Sequence, residues 1–563
     1  MSDSGHVRGG GGSAPEIAFS EGVPIPPSVR PVILLSGSDY EMGCQWSKQY
    51  AQVFGPWILE SLRCDIGEDE RPLLQACERH IEEHTPECVE LMKGMVAGAT
   101  EVGVSLTYED VVACFAREEH IIGTDPDQSE LDWFLPPRCS GLAAWGGTTK
   151  DGRLLCLGLG DYPEVKFEIT VLAYPAEGAG NAFILSPYTL NGKPSHPGMN
   201  SKGLAYVHHG AGTSGREHRR EASVEGSGVP TLFGIMHTLR FADSAGEALE
   251  LQLSYAGHSG GLWVDTGGDA FNLECRDPLT VRRPGDAGET DFLYASNNIL
   301  FESEAMEPFV PAHPDYPTRY VTHAGYLADW VTISSVPRNL EMWNMLHNYR
   351  GEVDLEFLKM MCRFGGDAPD YPTLEEAEAT YESSQGAGWD AKICNLSTEM
   401  VGIMVPDKGE YYVSSFSIAR GAQANRPGGY YYPVAPVYSL YQLKLVSGPG
   451  ASVWEAKERA RRDLYQADQE LRKLTYWDTP YAPLKEVFER AATEWVKGDY
   501  YAKRADRLSG SAAVLEHGRA LRCYCRSQAY ANQVHESLVT PPVDPSGLGL
   551  REWFGSWGEW ATA

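Results

Sequence analysis

The sequence predicts an α+β fold in which helices pack against β-sheet. Residues 40–122 place apolar side chains three and four positions apart, which is the spacing of amphipathic helices. From residue 139 to about residue 418 the chain consists of short β-prone runs separated by Gly, Asn or Pro, with helical stretches between some of them. Helices first, then strands, helices and strands again, are typical of a layered α+β fold.

Changes of composition divide the 563-residue chain into four parts. The start is rich in Gly and Ser, and the turn-rich stretch GAQANRPGGYYYPVAP separates the last strands from two long helical stretches. We expect these late helices either to pack on the core or to mediate contacts between copies of the chain. The predicted parts are a flexible tail (1–30), a helical segment (31–138), the α+β core (139–420) and a helical carboxyl-terminal extension (421–563).

Composition excludes some classes of partner. Lys and Arg number 47 against 77 Asp and Glu, so the formal net charge is −30 at pH 7. Such a surface repels phosphate backbones, so we expect no nucleic-acid partner but a neutral or cationic small molecule. The first residues, MSDSGHVRGGGGSAPE, lack the apolar stretch of a signal peptide, and no apolar run approaches a membrane span. The twelve cysteines have no CxxC spacing, which favours reduced thiols and a cytoplasmic protein.

Local signals predict where individual elements begin and end. Thr107 is expected to cap the helix in TYEDVVACFAREEH, and Ser244 with Glu247 is expected to form a capping box before the helix EALELQLS. The pair Asn191–Gly192 predicts a hairpin turn. A further helix is predicted for GVPTLFGIMHTLRF, and strands are predicted for RLLCLGLGD, FEITVLAYP, NAFILSPYTL, GLAYVHH, GGLWVDT, AFNLECR, MVGIMVP and EYYVSSF.

One motif suggests a metal site. The stretch from His80 to His84, HIEEH, matches the H-x-x-E-H form of a zinc peptidase. On a helix both histidines would share one face, and Glu83 would serve as general base. Because the surrounding ERHIEEHTPE is polar on almost every side, a solvated helix is the favoured interpretation.

Two glycine-rich motifs are weaker still. Residues 210–215 fit G-x-G-x-x-G, but no βαβ unit follows them, so a loop is expected. Residues 257–261, GHSGG, fit the G-x-S-x-G nucleophile elbow, with Ser259 as the nucleophile. That elbow needs a strand before it and a helix after it, whereas here the predicted order is reversed.

The strongest candidate nucleophile is Cys139, in the stretch RCSGLAAWGGTTKDG. Self-cleavage by an N-to-S acyl shift requires Cys, Ser or Thr directly after the scissile bond, and here the thiol would attack the carbonyl of Arg138. Cleavage would free an α-amine whose ordinary pKa is about 7.7–8.0, so one residue would supply both nucleophile and base. The small residues Ser140 and Gly141 would let a substrate approach closely. A plain buried thiol is the alternative.

Five segments then carry a family resemblance, in this order along the chain: SGSDYEMGCQWSKQY; KGMVAGATEVGVSLTYEDVVACFAREE; RCSGLAAWGGTTKDGRLLCLGLGDYP; MNSKGLAYVHHGAG with GVPTLFGIMHTLRFADSAGEALE; and YASNNILF. From about residue 36 to residue 418 the chain resembles the isopenicillin-N acyltransferase-like family of N-terminal-nucleophile (Ntn) hydrolases. The resemblance implies an αββα sandwich preceded by a helical pro-segment, self-cleavage before a cysteine, and action on linear amide bonds.

The resemblance also assigns roles to residues. Cys139 is implied as the nucleophile, Asp161 as the carboxylate that orients its amine, and Asn297 as a donor to the oxyanion. Turn chemistry is the alternative for Asp161 and Asn297. Arg363, in MMCRFGGD, is the candidate for the family's late arginine. The family's Asn-x-Asp is Leu-Gly-Asp here, so one pocket contact is missing, and Arg138 stands where some members have Gly, which is expected to slow or prevent self-cleavage.

The substrate pocket is predicted to include His208, His209 and Tyr162. Adjacent strand residues point to opposite faces, so the two histidines are not expected to share a metal.

The predicted activity is hydrolysis of a linear amide, non-peptide or small and peptide-like, through a thioester acyl-enzyme. An acyl-CoA-dependent N-acyltransferase with the same residues is the first alternative, and a serine hydrolase using Ser259 is the second. No metal or organic cofactor is expected; a small-molecule amide or thioester is the expected partner, and the carboxyl-terminal helices are a candidate surface for a homo-oligomer.

Overall fold

The structure of the chain is a computed structural model. The described residues are 29–118, 138–161, 169–187, 196–208, 228–255, 261–276, 279–286, 288–296, 307–310, 320–322, 336–364, 398–413, 440–476 and 482–538. The predicted tail before residue 29, the Asn191–Gly192 turn and the glycine-rich stretch 210–215 lie outside these residues.

The described residues contain sixteen strands and twelve helices. The strands are β1 (Val32–Gly37), β2 (Arg138–Gly146), β3 (Gly152–Asp161), β4 (Thr170–Pro175), β5 (Phe183–Ser186), β6 (His196–Asn200), β7 (Ala205–His208), β8 (Gly261–Val264), β9 (Ala270–Arg276), β10 (Leu279–Arg282), β11 (Phe292–Ala295), β12 (Glu307–Val310), β13 (Tyr320–Thr322), β14 (Thr398–Val405), β15 (Glu410–Val413) and β16 (Tyr441–Lys444). The helices are α1 (Asp39–Phe54), α2 (Trp57–Glu60), α3 (Arg71–His84), α4 (Pro86–Glu101), α5 (Tyr108–Glu118), α6 (Thr231–Phe241), α7 (Ala245–Ser254), α8 (Val336–Asn348), α9 (Leu355–Phe364), α10 (Pro449–Tyr476), α11 (Ala482–Ala505) and α12 (Gly510–Leu538).

The strands form two large sheets. One has eight strands in the order β1-β4-β5-β6-β7-β8-β9-β10, and the other has six in the order β11-β2-β3-β14-β15-β16. Strands β12 and β13 pair only with each other among the described strands. Strand β1 runs parallel to β4, and the other neighbours in the two large sheets are antiparallel.

Apolar side chains bury both faces of each sheet. One cluster lies between the eight-stranded sheet and helices α1–α7, a second lies between the six-stranded sheet and α8 and α9, and a third lies between the two sheets. Strand β1 illustrates the pattern, because Ile33 and Leu35 belong to the first cluster while Val32 and Leu34 belong to the third. The predicted α+β class is therefore confirmed, with the layers in the order helix, sheet, sheet, helix.

The predicted cap at Thr107 is confirmed, whereas the capping box predicted at Ser244 forms only by half. The Thr107 hydroxyl accepts a hydrogen bond from the Asp110 amide at 3.1 Å, and the Asp110 carboxylate accepts one from the Thr107 amide at 2.8 Å. The Ser244 hydroxyl accepts from the Glu247 amide at 3.2 Å, whereas the Glu247 carboxylate accepts from the Asp243 amide rather than from Ser244. Helices α8, α9 and α11 were not identified in the sequence.

The carboxyl-terminal extension packs on the core. Strand β16 pairs with β15 and so completes the six-stranded sheet beyond residue 420. Helices α10 and α12 contribute to the cluster between the sheets, and α12 also contacts β1 at the edge of the other sheet. Among the described helices none is long and apolar enough to cross a membrane.

A row of glycines brings the two sheets close together. Gly141, Gly158 and Gly402 lie opposite one another on β2, β3 and β14. A β-carbon at Gly141 would lie 2.2 Å from Cγ1 of Val207, and β-carbons at Gly158 and Gly402 would lie 2.8 and 2.5 Å from Cγ of Pro197. At these three positions of β2, β3 and β14 no room therefore remains for a side chain against Val207 of β7 and Pro197 of β6.

This close approach predicts a steric defect in Gly402→Ala. Because the proline ring of Pro197 cannot rotate away, we expect the variant to lower the free energy of unfolding by about 1–3 kcal/mol, measured by urea denaturation. Gly246→Ala in α7 is the control, since its new methyl group would meet only the Ser244 hydroxyl oxygen at 3.9 Å. Equal stability of the two variants would contradict the close packing.

Candidate functional site

Cys139 lies at the end of a strand inside the six-stranded sheet. It is the second residue of β2, it forms no disulfide, and it is 2% exposed. Side chains alternate along a strand, so Cys139 shares a face with Gly141 and Ala143, which face the eight-stranded sheet. The thiol is therefore directed between the two sheets, next to the glycine row.

The strand register brings several predicted residues to this end of the sheet. Arg138 lies opposite Asp161, the last residue of β3, and Asp161 in turn lies opposite Thr398, the first residue of β14. Strand β11 ends at Ala295, opposite Gly141. The backbones of Arg138 and Asp161 thus lie next to Cys139 in the sheet. The side chains of Arg138 and Asp161 lie outside the described part of the structure, as do the whole of Asn297, Tyr162 and His209.

A buried arginine that the sequence did not suggest contacts the candidate nucleophile. Arg338, near the start of α8, is 0% exposed. Its Nη1 donates to the carbonyl oxygen of Cys139 at 2.6 Å and to the hydroxyl oxygen of Ser140 at 2.8 Å. Ser140 is also fully buried, and it faces the helices while Cys139 faces the other sheet. Charge-assisted hydrogen bonds of this kind are about twice as strong as neutral ones, so Arg338 fixes the backbone at Cys139.

Arg363, the predicted late arginine, lies in the last turn of α9, and its side chain is outside the described part of the structure.

A signal for Arg338 does exist in the sequence. Arg338, Met342 and Met345 are spaced i, i+4 and i+7, so the arginine falls on the apolar stripe of a helix. A charge on such a stripe has to be paired in the interior.

The His208 side chain lies on the face of β7 that points away from the glycine row of the opposite sheet. It is buried, and its Nδ1 lies 2.8 Å from the Tyr206 hydroxyl, with which it shares a face of β7. Tyr206 belongs to the cluster on the helix side of the sheet, whereas Val207 points to Gly141. The ring that the sequence assigns to the substrate pocket therefore packs toward the helices.

Buried hydroxyl groups form a polar chain that ends at Tyr411, next to Gly402 of the glycine row. The Thr170 and Ser186 hydroxyl oxygens lie 3.1 Å apart, and that of Ser186 lies 2.8 Å from the Tyr411 hydroxyl. Tyr411 donates to the carbonyl oxygen of Pro197 at 2.8 Å. Burial raises the pKa of Tyr411, so this chain stays neutral and offers donors and acceptors but no base near neutral pH.

The HIEEH motif, which matches a zinc-peptidase pattern, has both histidines on one helix face, as predicted. His80 and His84 lie on one face of α3, with ring centroids 5.9 Å apart and planes 10° from parallel. Burial, and to a lesser extent the charge of His84, lower the pKa of His80. Within the described ranges no group of three or more His, Cys, Asp or Glu side chains could hold a metal ion.

The order of elements around Ser259 is the reverse of that in a nucleophile elbow. Helix α7 ends at Ser254 and strand β8 begins at Gly261, so a helix precedes the motif and a strand follows it. Ser259 itself lies outside the described residues.

No protein-family model and no curated protein matches the chain. The resemblance drawn from the five sequence segments therefore stays a prediction, and function has to be inferred from the geometry around Cys139.

The lowered pKa of His80 predicts acid destabilisation. The unfolded state binds more protons than the folded state as the pH falls through the ordinary histidine pKa of about 6.5, so this part of the stability is present above that pH and is lost below it. His80→Gln should lessen the fall in the urea midpoint between about pH 7.5 and about pH 5, and a chelator should change neither protein. A chelator that destabilises the wild type at neutral pH, but not His80→Gln, would support the metal site instead.

Proposed function

We propose that the protein is a self-processing Ntn cysteine hydrolase that opens its own Arg138–Cys139 bond and then cleaves linear amides. The observation that carries this proposal is the position of Cys139 at the start of an inner strand, in a sheet that packs face to face on a second sheet beneath two outer layers of helices. A nucleophile at the start of such a strand is what the αββα sandwich of the resembled family requires.

The register is compatible with cleavage at this bond. Only Arg138 precedes Cys139 in β2, while the residues from Cys139 onward pair with β3, starting with Cys139 opposite Gly160. Opening the bond therefore removes a single pair from the end of the ladder. The new amino terminus would keep its place in the sheet.

The first reaction is self-cleavage. The Cys139 thiol adds to the carbonyl carbon of Arg138, the C–N bond breaks, and the acyl group moves to sulfur as a thioester. One water then hydrolyses the thioester, which leaves a carboxylate on Arg138 and a free amine and thiol on Cys139. Nη1 of Arg338 holds the carbonyl oxygen of Cys139 at 2.6 Å. This contact keeps Cys139 in place while its thiol attacks and its own backbone nitrogen becomes the leaving group.

The second reaction uses the new amino terminus. The α-amine takes the thiol proton, and the thiolate attacks the carbonyl carbon of the substrate amide. The protonated α-amine returns that proton to the leaving amine as the C–N bond breaks, and water then hydrolyses the thioester acyl-enzyme. The buried cation of Arg338 disfavours a second positive charge nearby, which favours the neutral amine that a base needs. We assign Asn297 and neighbouring backbone amides to the oxyanion, and Asp161 to the amine, on the family resemblance.

We infer hydrolysis rather than acyl transfer, because transfer also demands a site that holds an acceptor against water. The acyl-CoA-dependent alternative uses the same residues, and the reversed elements around Ser259 disfavour the serine hydrolase. A small neutral or cationic amide suits the net charge of −30. A cytoplasmic location suits the nine described cysteines, which form no disulfide.

The test is the intact mass of the purified full-length chain. We expect the wild type to yield one fragment ending at Arg138 and one beginning at Cys139, and Cys139→Ala to remain a single chain. Cys156→Ala is the matched control, because Cys156 is a buried thiol that lies opposite Ala143 on the adjacent strand. The control should be cleaved like the wild type. An uncut wild type, or cleavage of Cys139→Ala, would refute the activation chemistry.

A further inference from the structure

Strand β1 is an edge strand whose free side is not left open. Among the strands that the structure describes, it pairs only with β4. An unpaired edge exposes backbone groups that invite pairing with another chain. Here the Gln45 amide accepts from the Ser36 amide and donates to the Ser36 carbonyl oxygen, both at 2.8 Å. The Gln49 amide does the same for Leu34, at 3.2 and 2.6 Å.

The two glutamines thus imitate a neighbouring strand. Gln45 and Gln49 are four residues apart on α1, a rise of about 6 Å along a helix. Leu34 and Ser36 are two residues apart on β1, a rise of about 6.6 Å along a strand. Because the two spacings match, each side-chain amide can serve one residue of the free edge.

Helix α12 of the carboxyl-terminal extension completes this arrangement. Nη1 of Arg522 donates to the Val32 carbonyl oxygen at 3.1 Å and to Oε1 of Gln49 at 3.0 Å, and Nη2 donates to Oε1 of Gln52 at 3.0 Å. The guanidinium is buried, and burial lowers the pKa of Arg522 to about 10, which still leaves it charged at neutral pH. One buried cation therefore joins α12 to both β1 and α1.

The fit of α12 against α1 is close. A β-carbon at Gly518 would lie 2.1 Å from Oε1 of Gln49, so a side chain there would push the Gln49 amide away from its bonds to Leu34 and Arg522. One turn before Gln49 on α1, Nε2 of Gln45 also donates to the hydroxyl oxygen of Ser511, at the start of α12, at 3.1 Å. Contacts to α12 thus extend along α1 from Gln45 to Gln52.

We propose that α12 is a latch that keeps the amino-terminal piece bound to the rest of the protein after the Arg138–Cys139 bond opens. The partner of this surface is the other product of the same chain. The proposal rests on the proposed function only in assuming that the chain cleaves itself before Cys139. The contacts of α12 with β1 and α1 are present in the uncut chain. On its other side the same segment contacts α6, where Arg240 forms an ion pair with Asp39 and Nδ1 of His237 lies 2.7 Å from a carboxylate oxygen of Glu87.

The experiment supplies the cut. A site for a specific protease is placed in the full chain between residues 118 and 138, in a Cys139→Ala background, and the cleaved protein is passed through gel filtration in increasing urea. The measured quantity is the fraction of the amino-terminal piece that elutes with the rest. We expect the parent to retain the piece, and Arg522→Met to weaken its binding about tenfold or more, since hydrogen bonds to a charged group are lost.

Arg526→Met is the matched control. Arg526 lies one turn further along α12 and faces Glu494 of α11 at 3.7 Å, inside the extension. It should behave like the parent. Equal retention by Arg522→Met and Arg526→Met, or immediate release by the parent, would overturn the latch.

Two safeguards keep the result decisive. The uncut variants are first compared by circular dichroism, and if Arg522→Met does not fold, Arg522→Lys takes its place, because lysine keeps the charge but loses the fork that reaches two acceptors. A wild type that never cleaves itself would refute the proposed function. It would not affect the test of the latch, because there the added protease makes the cut.

Discussion

The contact between Arg338 and the backbone of Cys139 is the interaction on which the candidate site depends. A fully buried guanidinium is costly unless polar groups surround it, and here the carbonyl of Cys139 and the hydroxyl of Ser140 are among its acceptors. Helix α8 cannot slide over the six-stranded sheet without breaking these bonds. The outer helical layer therefore determines where the first residues of β2 lie.

The inner layer constrains the same strand from its other face. Gly141, two residues after Cys139, lies directly beneath Val207 of the opposite sheet, and the glycine row continues across β3 and β14. Strand β2 is thus held by a polar contact on one face and by close packing on the other. Such a strand end can present a nucleophile with little motion, which is what attack on a neighbouring carbonyl demands. The extension makes a comparable contribution at the far edge, where Arg522 and two glutamines replace a missing strand.

The sequence predicted the features that depend on local pattern. Periodicity gave the class, most of the described helices and eight of the sixteen described strands. The caps at Thr107 and Ser244 follow from residues three positions away. Features that depend on distant contacts were missed. Arg338 is separated from Cys139 by 199 residues, and Arg522 from Val32 by 490. The structure places His208 on the helix side of β7, a placement that the sequence left open because alternation alone does not say which face of a strand meets the other sheet.

The central claim is that Arg338 positions Cys139 for self-cleavage. The most direct measurement is the rate at which the fragment beginning at Cys139 appears, followed by mass spectrometry, in Arg338→Met, Arg338→Lys and the control Arg350→Met. Arg350 pairs with Asp291 at the other end of β2 and is partly exposed. Loss of a charged hydrogen bond worth about 1.5–3 kcal/mol predicts cleavage about 10- to 100-fold slower in Arg338→Met, an intermediate rate in Arg338→Lys, and an unchanged rate in Arg350→Met. A folded Arg338→Met protein that cleaves as fast as the wild type would contradict the account.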